Sequence, residues 1–267
     1  MIALLTALAC QPEAVQAERS AGGGADVSFD APYIEFEDQG LRVESQTWST
    51  KDDAGRAWRV ALPASARLRV VPSPHVAAFS ALAASDERTW AAINGGFYKD
   101  DRAMGLVVSN GDQRSALAPR GGSGVVETRD FGLAIVHRDA WEVGPSDALQ
   151  SIDRLVDAHQ SLVHAREGAP RAARSAVALS DSTVWLVVVA SESSIEPVDG
   201  GVQLRRTSGA GMSLAAFADY LIRSTDAETA LNLDGAVSTQ LIATAGPARL
   251  EVRGERGTIN ALLLTPR

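Results

Sequence analysis

Cysteine is nearly absent from this chain, with Cys10 the only one among 267 residues. An internal disulfide is therefore excluded, because a bridge needs two cysteines. Basic residues are also outnumbered: 25 Lys and Arg face 33 Asp and Glu, for a net charge of −8. This balance disfavours a nucleic-acid partner, since an acidic protein is repelled by the phosphate backbone. Apolar runs stay shorter than a bilayer span requires.

Signatures of metal and nucleotide binding are missing as well. The sequence has no phosphate-binding Gly-Lys-Ser/Thr loop, no dinucleotide fingerprint and no internal repeat. The histidines lack the spacing of zinc ligands; they are His75, His137, His159 and His164. We therefore expect no cofactor. A divalent cation beside Asp234 stays open, although no ligand spacing requires one.

The N-terminal segment places the single cysteine after an apolar run. Residues 1–9 are apolar and end in small residues before Cys10, which is typical of a bacterial lipoprotein signal. The sequence thus predicts a signal segment at 1–10, lipidation at Cys10, and export to the cell envelope or secretion. The alternative is an apolar N-terminus on a soluble protein, because no Lys or Arg precedes the run. Residues 11–29 are small, polar and aperiodic, which predicts a flexible linker.

Residues 30–267 are predicted to form a single α+β domain with a mixed or antiparallel sheet and about three packed helices. Apolar residues at helical spacing predict helices at 76–85, at 147–160 and after Ser213, which would be an N-cap. Trp185–Val189 is apolar on both faces and predicts a central strand.

The most distinctive segment is 230–241, where a short apolar strand ends at Asp234-Gly235, shortly before Ser238 and Thr239. Strand alternation places Asn232 and Asp234 on one face. Such a turn can direct backbone N–H groups and two hydroxyls at one point, which is a way to hold an anionic oxygen. The alternative is an ordinary Asp-Gly turn between two strands.

Four sequence blocks together resemble the phosphodiester glycosidase family. The blocks are Ala92–Tyr98 with its Asn-Gly-Gly-Phe core, Gly105–Gly111, the pair Gly211–Leu214 and Ala230–Thr239, and Arg256–Leu262. Arg174-Ser175, where the family has Arg-Thr, is a weaker fifth. In order and spacing they span residues 55–266.

Two departures from the family pattern bear on activity. The family's Asp-Gly-Gly-Gly segment has Ala236 and Val237 in place of its last two glycines, and a valine there adds bulk and disfavours a positive φ. Residues 160–163 lack the Gly-Pro that the family has after its glutamine. Either change can reshape the pocket.

The resemblance implies a hydrolase that cleaves the glycosidic bond of a sugar-1-phosphodiester in an envelope or extracellular glycan. A phosphate leaves with a delocalised charge, so hydrogen-bond donors and a cation can replace the acid that other glycosidases need. On this basis Asp234 acts as a base or stabilises the cationic sugar centre, Arg174 pairs with the phosphate, and Asn94 orients a sugar hydroxyl. The substrate-binding set would be Gly95, Gly96, Tyr98, Asn232, Gly235, Ser238, Thr239 and Gln160.

Each of these residues also has a purely structural interpretation. Asn94-Gly95 could be a turn, Arg174 a surface residue, Asn232 a partner of buried backbone groups, and Gln160 a helix end. A non-catalytic glycan-binding lipoprotein of the same fold is the main alternative function. An esterase using Ser213 or Ser238 is disfavoured because no His–acid pair is evident.

Overall fold

The computed structural model describes residues 27–120, 122–130 and 132–266, and strands dominate it. Strands account for 53% and helical turns for 11% of the structure, in a curled antiparallel half-barrel arrangement. The described residues form two α-helices, α1 (Phe79–Ala83) and α2 (Leu214–Thr225). The prediction of an α+β fold with three helices is therefore wrong, and the fold is mainly β.

Twenty-three strands are formed within the described part of the chain. The strands of the first half are β1 Ser28–Phe29, β2 Tyr33–Asp38, β3 Leu41–Ser49, β4 Ala54–Pro63, β5 Arg67–Ala77, β6 Ala91–Asn94, β7 Tyr98–Lys99, β8 Arg102–Ala103, β9 Val107–Ser109, β10 Asp112–Ser115, β11 Gly124–Arg129 and β12 Gly132–His137. Those of the second half are β13 Asp147–Ser151, β14 Arg154–Asp157, β15 Gln160–Ser161, β16 Arg174–Ser180, β17 Thr183–Ser191, β18 Ile195–Val198, β19 Gly201–Leu204, β20 Thr229–Asn232, β21 Leu241–Ala245, β22 Ala248–Arg253 and β23 Thr258–Thr265.

These strands pair into three sheets and one small hairpin. The nine-stranded sheet has the order β1-β3-β4-β17-β16-β20-β14-β15, with β2 also paired to β3. The seven-stranded sheet has the order β18-β19-β22-β21-β6-β23-β5, the five-stranded sheet the order β10-β9-β13-β11-β12, and β7 pairs with β8. The pairing is antiparallel except between β19 and β22. Trp185–Val189 lies in β17 at the middle of its sheet, which confirms the predicted central strand.

Strand alternation divides the core into layers. Val177 and Leu231 face a cluster shared by all three sheets, whereas Ala176 and Ala230 face α2 on the other side of the nine-stranded sheet. Phe217 of α2 is fully buried against that face. The small alanines let the helix approach the sheet closely. The strand ends that form the site described below are therefore held between two packed layers.

The helix predicted at 147–160 is not formed. This stretch contains the strands β13, β14 and the start of β15. Its apolar spacing resembled a helix, but Asp153 adopts a left-handed conformation with φ 62°, which a helix cannot include. The β-branched Val156, which lies in β14, suits a strand better than a helix. By contrast, the predicted cap of α2 is confirmed, because the Ser213 side chain accepts a hydrogen bond from the Ala216 N–H at 3.2 Å.

Most of the N-terminal segment for which predictions were made lies outside the residues that the structure describes. Cys10 and the signal segment lie outside the described residues, and lipidation stays a prediction. Ser28–Phe29, at the end of the predicted linker, pairs with β3 as β1. Neither helix of the described chain has the length and apolar content to cross a membrane.

Candidate active site

The candidate site forms where β20 ends, between the two largest sheets. The Leu233 N–H donates to the Ser175 carbonyl of β16 at 2.9 Å, which continues the nine-stranded sheet by one residue. The next N–H, of Asp234, donates to the Gly95 carbonyl after β6 at 3.0 Å. Asp234 therefore sits where the nine-stranded sheet meets the seven-stranded sheet.

The carboxyl group of Asp234 is half-buried beside polar groups. Burial raises its pKa above the ordinary aspartate value. Hydrogen bonding from the Ser238 side chain, the Gly235 N–H at 2.9 Å and the positive charge of Arg256 oppose this rise without cancelling it. Asp234 is thus a stronger base than an exposed aspartate, which is a common property of catalytic carboxylates.

Tyr98 belongs to the same group of side chains. Its hydroxyl donates to the Gly257 carbonyl at 2.8 Å. Burial raises the pKa of Tyr98; the charge of Asp234 adds to the rise, and Arg256 and Ser238 work against it. Asp234, Ser238, Tyr98 and Arg256 therefore form one electrostatic unit, called here the Asp234 cluster.

Arg256 is the member of this cluster that sequence reasoning missed. Its backbone is held at both ends, because its N–H donates to the Val237 carbonyl at 3.0 Å and its carbonyl accepts from the Gln240 Nε2 at 2.9 Å. Its side chain is exposed and makes no ion pair among the described residues. The signal was present, since Arg256 opens the fourth block of the family resemblance.

Arg174, the expected phosphate partner, has other neighbours in this structure. Its Nε donates to the Met212 carbonyl at 3.0 Å and its Nη2 donates to the Pro170 carbonyl at 2.8 Å. Burial lowers the pKa of Arg174, and the negative charge of Asp153 opposes that shift. Burial in turn raises the pKa of Asp153. The carboxylate that faces Arg174 is thus Asp153.

The backbones of the two predicted partners nevertheless lie side by side. The Ala236 N–H donates to the Ala173 carbonyl at 2.9 Å, and a Cβ at Gly235 would lie 3.9 Å from the Arg174 Cα. Arg174 and the Asp234 turn therefore share one edge of the fold, while the Arg174 side chain is directed to different partners.

Asn94 is fully buried and its amide is fully used by the protein. Its Oδ1 accepts from the Ser175 Oγ at 2.8 Å and from the Gln240 N–H at 3.0 Å. Its Nδ2 donates to the Asp234 carbonyl at 2.7 Å. The Nδ2 atom also donates to the Gly95 carbonyl at 3.4 Å, so the protein occupies every group of this buried amide. A bond from Asn94 to a sugar hydroxyl stays a prediction.

The glycines after Asn94 are explained by close packing. The N–H groups of Gly95 and Gly96 donate to the carbonyl and Oδ1 of Asn260, at 3.0 and 2.8 Å. A Cβ at Gly95 would lie 1.8 Å from that Oδ1, and one at Gly96 would lie 2.9 Å from the Gln150 carbonyl. Both N–H groups are engaged within the protein, and a role of these two glycines in substrate binding stays a prediction.

The other predicted binding residues occupy different environments. Asn232 and Thr239 are buried, and their Oδ1 and Oγ1 atoms have no hydrogen-bond partner among the described residues. Ser238 is buried beside Asp234, whereas Gln160 is exposed on the outermost strand β15. The structure thus brings Ser238 to the cluster and leaves Gln160 at the sheet edge.

The two substitutions in the glycine segment have unequal effects. Ala236 takes the left-handed conformation with φ 54°, which costs an L-residue about 1 kcal/mol relative to glycine. Val237 lies half-buried inside the single 3-10 turn Ala236–Ser238, without a positive φ. The expected conformational problem therefore falls on the alanine and not on the valine.

Metal ligands do not gather in this region. In the part of the chain that the structure describes, His, Cys, Asp and Glu side chains form no group of three or more suited to a metal ion. The absence of a cofactor remains a prediction.

Comparison with known proteins agrees with this architecture. Residues 87–265 match the phosphodiester glycosidase family (NAGPA), a class of glycosidase-type hydrolases. The chain belongs to this family, as its sequence blocks predicted. A search of curated proteins finds no match.

Three solved structures share the fold. A hypothetical protein from Synechocystis is 16% identical with a TM-score of 0.58, over 86% of this chain and 62% of the other. The catalytic domain of zebrafish N-acetylglucosamine-1-phosphodiester alpha-N-acetylglucosaminidase, auto-inhibited by its pro-peptide, is 15% identical with a TM-score of 0.58, over 93% and 86%. A Burkholderia pseudomallei protein named as a candidate for export is 14% identical with a TM-score of 0.51, over 80% and 74%.

Proposed function

We propose that this protein hydrolyses the glycosidic bond of a sugar-1-phosphodiester in an envelope or extracellular glycan. The observation that carries the proposal is the half-buried Asp234 carboxyl, which accepts hydrogen bonds from the Ser238 side chain and the Gly235 N–H and is influenced by the positive charge of Arg256. Family membership supports the reaction class, and the zebrafish relative is named for a sugar-1-phosphodiester substrate.

The reaction needs one base and one site for the leaving phosphate. Asp234 takes a proton from water while the water oxygen bonds to the anomeric carbon. The bond from that carbon to the phosphate oxygen breaks, and the phosphate monoester leaves with the electron pair. Arg256 stabilises the charge that develops on the phosphate, so no second carboxylic acid is required.

The proposal gives Arg256 the phosphate role first expected of Arg174. Arg256 is exposed and makes no ion pair within the described chain, whereas two nitrogens of Arg174 are bound to carbonyl groups. Arg174 and Asn94 then act as positioning residues. Asn94 holds the Asp234 carbonyl, and Arg174 holds the Met212 carbonyl at the start of α2.

Release of sugar from a synthetic sugar-1-phosphodiester tests the assignment. Asp234→Asn should lower kcat by about 10³-fold or more, because the base is lost. Arg256→Gln should lower kcat/KM by about 10²- to 10³-fold, the usual effect of removing one charge-stabilising donor. Asp181→Asn, in the exposed turn between β16 and β17, is the matched control and should retain full activity.

The pH profile gives a second readout. Wild-type activity should rise as the pH increases through the raised pKa of Asp234, because only the ionised carboxylate accepts a proton. Full turnover by Asp234→Asn would refute the proposal. Binding of the sugar phosphodiester without release of the sugar would instead favour the non-catalytic glycan-binding alternative. The strained turn at Ala236, where the family has glycine, is the feature that supports this alternative.

Export remains part of the proposal. The Burkholderia relative is named as a candidate for export, and the apolar segment before Cys10 resembles a lipoprotein signal. Attachment through a lipid on Cys10 stays a prediction.

A further inference from the structure

A cleft of about 640 Å³ lies beside the β7–β8 hairpin, which carries Tyr98 of the Asp234 cluster. Its lining comes from β5, the β7–β8 hairpin, β9, β10 and the start of β23, and includes Ser73, Asp101, Arg102, Arg114, Ile259 and Asn260. A cavity of this size lies within the range of ordinary ligand sites, about 300–1,000 Å³.

A break in strand pairing creates the cleft. Asn260 of β23 pairs with Pro72 of β5, but Thr258 pairs with Ala77. The four residues 73–76 therefore have only Ile259 opposite them. Pro72 and Pro74 border Ser73 and cannot donate to a ladder, so β5 bulges away from its neighbour here.

The cleft adjoins the proposed catalytic cluster through two elements. Asn260 lines it and also accepts the Gly96 N–H at 2.8 Å. Ala103 lines it too, and pairs directly with Tyr98 across the β7–β8 hairpin. The cleft and the Asp234 cluster therefore share the β7–β8 hairpin.

The charge of the cleft is positive in an acidic protein. Arg102 is exposed and makes no ion pair with any residue that the structure describes. Arg114 pairs with Asp112 at 3.0 Å, but both side chains are largely exposed and such pairs contribute little. The acid in the cleft, Asp101, accepts the Val76 N–H at 3.0 Å through its Oδ1. Two guanidinium groups are thus offered to a ligand.

We propose that this cleft binds the aglycone of the substrate, and specifically a second phosphate that the aglycone carries. The inference rests on the proposed function. The scissile phosphate lies at Arg256, and the next phosphate lies between Arg102 and Arg114. A polymer of phosphodiester-linked units, and not an isolated sugar phosphate, is then the preferred substrate.

Two synthetic substrates test the inference. One carries a methyl aglycone on the scissile phosphate, and the other carries a glycerol phosphate, which adds a second anionic group. Wild-type kcat/KM should be at least about tenfold higher for the second substrate, since charge-assisted bonds to phosphate are strong. In the double variant Arg102→Gln/Arg114→Gln the two substrates should have about equal kcat/KM, mainly because KM for the glycerol phosphate substrate rises. In wild type the preference should weaken as salt is added.

The matched control removes the same charge elsewhere. Arg205→Gln/Arg249→Gln alters two exposed arginines that pair with Glu196 and Glu251, outside the cleft, and should keep the preference. Equal kcat/KM for both substrates in wild type would overturn the inference while the proposed function stands.

A binding readout separates the two proposals when no hydrolysis is seen. Calorimetric titration of the Asp234→Asn protein with a glycerol phosphate oligomer should show binding that the Arg102→Gln/Arg114→Gln changes reduce about tenfold or more. If the oligomer binds but the wild-type protein hydrolyses neither substrate, the proposed function is refuted, and the assignment of the cleft to an aglycone is refuted with it. Absence of oligomer binding would refute the cleft assignment directly.

Discussion

Replacing Asn94 by alanine tests how the two large sheets are joined at the site. The substitution removes one acceptor and one donor from a fully buried position. It leaves the Ser175 Oγ and the Gln240 N–H without their acceptor, and the Asp234 carbonyl without the Asn94 donor. Each buried polar group left unpaired costs about 1–3 kcal/mol.

The expected loss in the free energy of unfolding is about 3–5 kcal/mol, allowing for partial rescue by rotation of the Ser175 hydroxyl. This is a large part of the roughly 5–15 kcal/mol that stabilises an ordinary domain. For a protein of this size it corresponds to a fall in Tm of roughly 6–20 °C. Urea titration followed by tryptophan fluorescence measures it, and the midpoint is compared at constant m-value.

Two further variants make the reasoning refutable. Ser175→Ala deletes one donor and leaves Asn94 bound to Gln240, so it should cost only about 1 kcal/mol. Asn94→Asp keeps the shape but places an oxygen against the Asp234 carbonyl, so it should cost at least as much as alanine. If Asn94→Ala and Ser175→Ala had the same free energy of unfolding, the Asn94 amide would not be what connects the two large sheets at the site. Lost kcat/KM with unchanged stability would instead restore Asn94 as a substrate contact.

Two other changes probe the turn and the buried acids. Ala236→Gly should raise the free energy of unfolding by about 1 kcal/mol, because φ 54° is costly for alanine and free for glycine; an unchanged or lower value would contradict this. Asp147 is fully buried and its Oδ1 accepts the Val70 N–H at 2.9 Å. Burial raises its pKa, so the folded state holds the proton more tightly than the unfolded chain. This stabilisation is complete below the unfolded pKa and is lost as the pH rises through the folded pKa. The stability of wild type relative to Asp147→Asn should therefore decline in urea titrations as the pH rises above the ordinary aspartate pKa, and a constant difference would refute the assignment.

The strands and turns were predictable where local chemistry specifies them. The hairpin at Asn110-Gly111 has positive φ at both residues, 53° and 82°, as the sequence requires of that turn. The stretch at 147–160 was mispredicted because periodicity cannot show that the chain passes at Asp153 from β13 of the five-stranded sheet to β14 of the nine-stranded sheet. Pairing partners distant in sequence decide such segments.

The site was predictable as a set of blocks but not as a set of contacts. Asp234, Ser238 and Tyr98 do come together, and each lies in one of the sequence blocks that resemble the family. The direction of the Arg174 side chain was not accessible, because it depends on Asp153 and on the carbonyls of Pro170 and Met212. Nor could spacing reveal that Asn260 uses the N–H groups of the two glycines.

One buried amide explains why the separate blocks must occur in the same protein. Asn94 binds the Asp234 carbonyl and the Gln240 N–H, which are the two ends of the catalytic turn. The Gln240 side chain then donates to the Arg256 carbonyl. The proposed base and the proposed phosphate ligand are therefore positioned by a single chain of hydrogen bonds that starts in β6. Because the raised pKa of Asp234 depends on its burial in this turn, a defect at Asn94 should disturb the base and the anion site together.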